Sequence, residues 1–239
     1  MRRRGVGRWP LASLAVLVTY NTWLLAIPLN AHRQIFNGYL SELSASDQPH
    51  HLFFRAGDLV TSLIVGALGV RALFVWPRRH QARPRWWILA AAALMLFACS
   101  TVIDSFLPMD CSPTLSASCK LAEETGRLSM VHYAHTFTSV GAQIGVVASM
   151  VGVFVAMRRT RAGGLLWQRL MLAIWVGEVG LLSVLLVMVA AGVPGIGYVQ
   201  AVTVALASVW FAAVGVALVG EDTHWAPRTE PLEEDVYAR

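Results

Sequence analysis

Charge is scarce in this chain: only 14% of its 239 residues are Asp, Glu, Lys or Arg, against about 25% in an ordinary soluble domain. That scarcity, beside continuous apolar runs, excludes a soluble fold. Lysine is nearly missing, Lys120 being one of nineteen basic residues of which the rest are arginine. Cysteine is limited to three, with no C-x-x-C and no companion Cys/His set, which argues against a cysteine-bound metal. Alternating apolar and polar decamers are absent, so transmembrane strands are set aside. There is no phosphate loop, dinucleotide fingerprint, His-Glu-x-x-His or Gly-x-Ser-x-Gly, and no histidine pair on two helices at haem-like depth. The chain therefore carries no haem, nucleotide or flavin signal. No internal repeat is evident, which weighs against an inverted-repeat transporter.

What the chain does have is long apolar runs. Each covers about 20 residues, the length a helix rising about 1.5 Å per residue needs to cross a hydrocarbon core of about 30 Å. The expected fold is all-α: a polytopic membrane protein with a six-transmembrane-helix bundle. The spans fall at about 10–30, 56–76, 86–105, 130–157, 169–191 and 198–219. The first is read as a retained helix rather than a secretory signal, although Tyr20-Asn21-Thr22 interrupts it. Residues 1–220 make a single transmembrane domain, and 221–239 read as a disordered, acidic cytoplasmic tail with Glu230, Glu233, Glu234 and Asp235. Pro77 and Pro84 bracket one connection, and Gly163-Gly164 break another. Trp9, Trp76, Trp86, Trp87 and Trp167 are expected near one interface.

Arginine orients the bundle. Arg2, Arg3, Arg4 and Arg8 precede the first run; Arg78, Arg79, Arg83 and Arg85 separate the second from the third; Arg158, Arg159, Arg161 and Arg169 separate the fourth from the fifth. Short arginine-rich segments stay cytoplasmic, so both termini are expected inside a cell (plasma) membrane. The net charge of +5 is then explained by topology and anionic lipid, not by nucleic acid. Membrane lipids, and a membrane protein partner, are the expected company. Four basic residues remain on the outer side: Arg33, Arg55, Lys120 and Arg127.

Candidate site residues collect on that outer side. Cys111 and Cys119, with seven residues between them, are expected to pair as a disulfide in an oxidising exterior. In the fourth span His132 and His135 share a face, continued by Thr136, Ser139 and Gln143, while Gly141, Gly145 and Gly152 offer a small opposite face for close helix contact. Asp104, at the outer end of the third span, could join His132 and His135 as zinc ligands for hydrolysis; alternatively the histidines hydrogen-bond Asp104, Asp110 or loop backbone. Arg55 and Asp58 form either a local ion pair or a phosphate-binding arginine beside an acid. Deeper in the bundle lie Asn21, Gln143 and Glu178, which are either packing groups or a proton-linked site.

The succession Ser41-Glu42-Leu43, Pro49, Phe54-Arg55-Ala56-Gly57-Asp58, Asp104, Phe106, Pro108-Met109-Asp110-Cys111, Cys119, Ser129, His132 and His135 resembles a bacterial membrane family, the domain-of-unknown-function family numbered 998. The likeness covers roughly residues 10–220 and implies a six-helix membrane protein, distantly similar to proteins of the Frag1/DRAM/Sfk1 type. It implies no reaction. A weaker similarity, to membrane hydrolases related to alkaline ceramidases and adiponectin receptors, would imply a zinc site of three histidines and an aspartate. Here two histidines are suitably placed, three residues apart, and a seventh helix is missing.

Three functions are thus expected in order. The first is a polar outward-facing vestibule of Arg55, Asp58, Asp104, Ser129, His132 and His135 that binds a lipid headgroup, small solute or partner protein. The second is an intramembrane metal-dependent lipid hydrolase using Asp104, His132 and His135. The third is a proton-linked transporter or lipid translocator centred on Glu178.

Overall fold

Apolar runs this long have only themselves to satisfy their backbone polar groups, and helices do so within each segment. The computed structural model describes residues 9–29, 33–79, 84–160 and 164–220, and these residues form helices, turns and loops without a strand. The N-terminal arginines, parts of both arginine-rich connections and the acidic tail lie outside the described residues.

Five helices are long and apolar enough to cross a membrane: α2 (His51–Arg79), α3 (Pro84–Phe106), α5 (Met130–Thr160), α6 (Leu165–Ala190) and α7 (Ile196–Gly220), numbered with α1 (Trp9–Thr19) and a short α4 (Ala117–Glu124). The first run differs from the single helix expected. After eleven residues it breaks at Tyr20-Asn21 and continues as a 3-10 turn over Thr22–Leu25. Asn21 explains the break, since its side-chain amide donates to Leu17 O at 2.9 Å and to Ser208 Oγ at 2.9 Å, while its own oxygen accepts from Trp23 Nε1 at 3.1 Å. Pro77 does not end α2 but sits in its last turns, where one missing backbone bond costs little. Pro84 opens α3, a first-turn position at which its missing N–H is no loss.

Helices α1, α2, α3, α5, α6 and α7 pack in that circular order, with α7 returning to α1 and also touching α2. The pairings of α3 with α2 and with α5 are the most extensive. Sequence explains the second of these. A Cβ at Gly145 would lie 2.5 Å from Phe97 N, and one at Gly152 2.9 Å from Ala90 Cα, so the glycine face of α5 lets the α3 backbone approach directly.

The apolar core occupies the ring toward the arginine-rich end. It includes Leu68, Trp76, Trp87, Phe97, Met150, Trp210 and Phe211. Trp76 and Trp87 are therefore packed inside the bundle at that end, 2% and 3% exposed and 5.1 Å apart. Trp86 keeps an interfacial role, with the Arg85 and Arg159 guanidinium groups at 5.7 and 5.3 Å from its ring. In the core Trp210 donates its ring N–H to Ser149 Oγ at 2.9 Å.

At the opposite end two loops form a cap, residues 33–50 and 107–129. The Cys111–Cys119 disulfide ties the second, with Cα atoms 6.1 Å apart, and anchors α4. Ser116 caps α4 by accepting the Cys119 N–H at 3.2 Å.

Candidate functional site

A cleft of about 120 Å³ opens into the ring at the capped end. Its wall is drawn from most of the bundle. The α1 break supplies Tyr20, Thr22 and Trp23; α2 gives Phe54 and Asp58; α3 gives Thr101 and Asp104. Helix α5 adds Ser139, Ala142 and Gln143, and α7 adds Gln200, Thr203 and Val204. The roof is the 3-10 turn Leu40–Ser44 of the first loop, which contributes Leu40, Ser41, Leu43 and Ser44. Below Tyr20 lies the core, its ring edge-on to Phe97 at 5.6 Å and near Phe211 at 6.2 Å.

The roof is fastened by acids. Glu42, 2% exposed, accepts the Tyr39 N–H at 3.0 Å, the Thr114 N–H at 3.1 Å and hydroxyl at 2.8 Å, and the Ser112 hydroxyl. Four donors on one carboxylate stabilise its charge inside the cap. Asp47 takes the Ser112 N–H at 3.1 Å, and Ser46 N–H reaches Met109 O at 2.9 Å. The two loops are thereby one piece. Gln200 of α7 accepts the Leu40 N–H at 2.6 Å. At Gly197 a Cβ would meet Phe36 O at 2.8 Å and Gly38 O at 2.7 Å, so the first loop rests directly on the start of α7.

Arg55 is part of this fastening. Its guanidinium donates to Ser44 O at 2.9 Å and Ser46 Oγ at 3.2 Å, not to Asp58. The local ion pair is thus not formed, and two of the guanidinium nitrogens, Nε and Nη2, are committed to the roof. The Asp58 carboxylate receives no hydrogen bond or ion pair from the described residues, although it lines the cleft.

Asp104 lies on the same cleft, with Oδ1 crowded and Oδ2 left over. Oδ1 faces the Thr138 hydroxyl, the Ser139 hydroxyl at 3.4 Å and His135 Nδ1 at 3.1 Å. His135 Nδ1 also lies 3.0 Å from Leu107 O, and two acceptors around one ring nitrogen assign the proton to it. The other nitrogen, Nε2, is buried without a partner. Thr138 takes the role the helical stripe assigned to Thr136, which is exposed.

His132 serves a different group. Its Nδ1 accepts the Asp110 N–H at 3.1 Å, so Nε2 carries the proton toward Glu123 at 3.3 Å. Tyr133 adds its hydroxyl to Glu123 O at 3.1 Å, clipping α4 to α5. Ser129 caps α5, its hydroxyl oxygen accepting the His132 N–H at 3.2 Å, while its N–H and O–H go to Asp110 at 2.7 Å each. The zinc arrangement of Asp104, His132 and His135 is therefore not assembled: both nitrogens of His132 are engaged away from Asp104. Among the described residues no group of three His, Cys, Asp or Glu side chains could hold a metal.

Of the deeper polar residues, Asn21 lies at the α1 break described above. Gln143 joins the cleft to the α5–α6 seam, because it lines the cleft and its amide donates to Glu178 Oε1 at 2.8 Å. Glu178 is fully buried, and its Oε2 has no partner among the described residues. It stands beside the cleft, not in it.

The sequence pattern pointed to Asp58, Asp104, Ser139 and Gln143. It missed Tyr20, Trp23, Gln200 and Glu42. The interruption Tyr20-Asn21-Thr22 was the available signal for the first two; Glu42 and Gln200 sit in a short turn and an apolar helix, where spacing carries no information.

The fold and site define an all-helical integral membrane protein with an acidic, partly aromatic cleft under a disulfide-tied cap. The chain belongs to the family described as "Protein of unknown function (DUF998)", whose model matches residues 13–217. No curated protein and no solved structure matches it.

Proposed function

We propose that the protein binds a small polar ligand, either a free solute or a lipid headgroup, in an outward-open cleft of the plasma membrane. The observation that carries this reading is the unpartnered Asp58 carboxylate on a cleft lined by five parts of the bundle. A carboxylate is costly in such surroundings unless it is paired or protonated, and none of the described residues pairs with it. Orientation rests on the arginine clusters, which put the disulfide cap outside. Six crossings with both termini cytoplasmic complete the reading. The support for the first is that α1 is held between α2 and α7 in the ring. Helix α6 exposes Leu165, Leu166, Val176, Leu186 and Val187, a surface suited to membrane lipid.

The test is thermal unfolding of the purified protein against a panel of small neutral, anionic and cationic solutes and soluble headgroup analogues. At least one class should raise the midpoint in wild type and not in Ala142→Leu, which fills the cleft. A panel without any such shift sinks the reading.

A second reading rests on Gln143, which is shared by the cleft and Glu178. In a proton-linked carrier the unpartnered Glu178 oxygen would take up a proton when the cleft is occupied. Glu178→Gln should then abolish pH-dependent flux in proteoliposomes; unchanged flux leaves Glu178 a packing residue.

A further inference from the structure

Resting on the binding reading above, we infer that the ligand carries an organic ammonium group, and that Asp58 with the rings of Tyr20, Trp23 and Phe54 receives it. Three independent features of the cleft converge on that chemistry.

The first is charge. Two carboxylates, Asp58 and Asp104, line the cleft, and none of the described residues that line it is Lys, Arg or His. Arg55, the nearest cation in sequence, spends its guanidinium on the roof at Ser44 and Ser46. An anionic group entering the cleft would meet like charge with nothing to offset it, whereas a cation supplies the partner that Asp58 lacks. Asp104 is already bonded through Oδ1 to Thr138, Ser139 and His135. Asp58 is therefore the primary contact and Asp104 the secondary one.

The second is surface type. The described residues bring no three His, Cys, Asp or Glu side chains together here, so a metal ion would have to rely on hydroxyl, amide or backbone oxygens beside the two acids. Three aromatic side chains share the wall with the acids. Aromatic faces attract cations through the ring quadrupole and also cover the alkyl part of an ammonium, which oxygen-only sites do not. Phe54 is held in place edge-on to Phe53 at 5.4 Å, and Trp23 is fixed by its ring N–H on Asn21 at 3.1 Å, so neither ring has to be ordered when the ligand arrives.

The third is unspent hydrogen bonding. Thr101, 6% exposed, belongs to the cleft wall, and its buried hydroxyl has no partner among the described residues.

The same ammonium is presented by a free amine and by the headgroup of phosphatidylethanolamine or phosphatidylcholine. The experiment separates the two sources. Full-length protein is reconstituted in nanodiscs of phosphatidylglycerol alone, and ethanolamine, choline, sodium, potassium and 3,3-dimethylbutan-1-ol (the uncharged shape analogue of choline) are titrated by calorimetry and thermal unfolding. The expected result is binding of ethanolamine or choline at least tenfold tighter than of the neutral analogue or either metal ion, weakened at least tenfold by Asp58→Asn. Phe54→Leu should weaken binding several-fold and leaves the acids intact, which covers the case that Asp58→Asn fails to fold. Nanodiscs containing phosphatidylethanolamine or phosphatidylcholine give the source: loss of the calorimetric signal with a raised midpoint assigns a lipid headgroup, and an unchanged signal assigns a free amine. Equal binding of the neutral analogue, or of sodium or potassium, overturns the ammonium inference. If that binding disappears in Ala142→Leu, the binding reading survives it. Silence from these probes together with a silent general panel overturns both.

Discussion

Ser129 holds three groups at once: it caps α5 through the His132 N–H and gives both its protons to Asp110. A capping serine replaced by alanine costs about 1 kcal/mol, and here the Asp110 carboxylate also loses the hydroxyl donor, keeping only the backbone N–H of position 129. Ser129→Ala is expected to lower the thermal midpoint by the equivalent of about 1–2 kcal/mol, with Ser129→Thr recovering most of it. A midpoint equal to wild type would mean that water replaces both roles. Asp110 adds a pH signature. Partial burial pushes its carboxyl up, but the Ser129 N–H and hydroxyl and the neighbouring His132 outweigh that and hold it below the usual carboxylate range. A carboxyl depressed in the fold stabilises above its unfolded value of about 3.9 and loses that contribution as pH falls through the folded value. Acidification below about pH 4 should therefore destabilise wild type more steeply than Asp110→Asn, measured as midpoint against pH. Parallel curves would remove Asp110 from the account.

At the scale of elements, close packing of α3 on α5 depends on the absence of side chains. Gly145→Ala would put a methyl 2.5 Å from Phe97 N, which is backbone and cannot rotate away. Overpacking of this kind costs about 1–3 kcal/mol, so Gly145→Ala should lower the midpoint clearly. Gly180→Ala, on α6 with nothing within 4 Å, should be neutral or stabilise by up to about 1 kcal/mol. If the two variants behave alike, helix propensity and not packing governs that seam. The small face on α5 was legible in the sequence because Gly141, Gly145 and Gly152 repeat at helical spacing. Six long apolar runs were read as spans from their length, and five of them are helices long and apolar enough to cross a membrane. Helix α4 was not legible: at eight residues it has too little periodicity, and it is held by a disulfide and the Ser116 cap. Of the stripe Thr136, Ser139 and Gln143 on α5, the last two line the cleft, while Thr136 is exposed and Thr138 meets Asp104, because which hydroxyl does so depends on where α3 lies. For the same reason two histidines three apart looked like a metal pair, although His132 is spent on Asp110 and Glu123 while His135 meets Asp104 and Leu107 O.

For the whole molecule, the count of crossings has a consequence that does not depend on resolving any side chain. Five crossings put the two ends of the chain on opposite sides of the membrane, and six put them on the same side. The difference rests on the first apolar run, whose regular helix stops at eleven residues, about 16 Å at 1.5 Å per residue, and continues as turns. Length alone favours five. Packing favours six, since α1 closes the ring between α2 and α7 and buries Val16 in the same core as Leu68 and Trp210. A re-entrant segment in that place would also need its broken backbone covered by protein, which the Asn21 bonds to Leu17 and Ser208 supply in part. The arginines before the run also favour six, because a cluster such as Arg2, Arg3, Arg4 and Arg8 is expected on the cytoplasmic side. Arg158 and Arg159 end α5, and two further crossings from there return the chain to the same side. Fusing a fluorescent reporter and, separately, a periplasmic phosphatase to each terminus should give fluorescence and no phosphatase activity at both. Phosphatase activity at one terminus alone would establish an odd count, and the first run would then be a re-entrant wall of the cleft rather than a span.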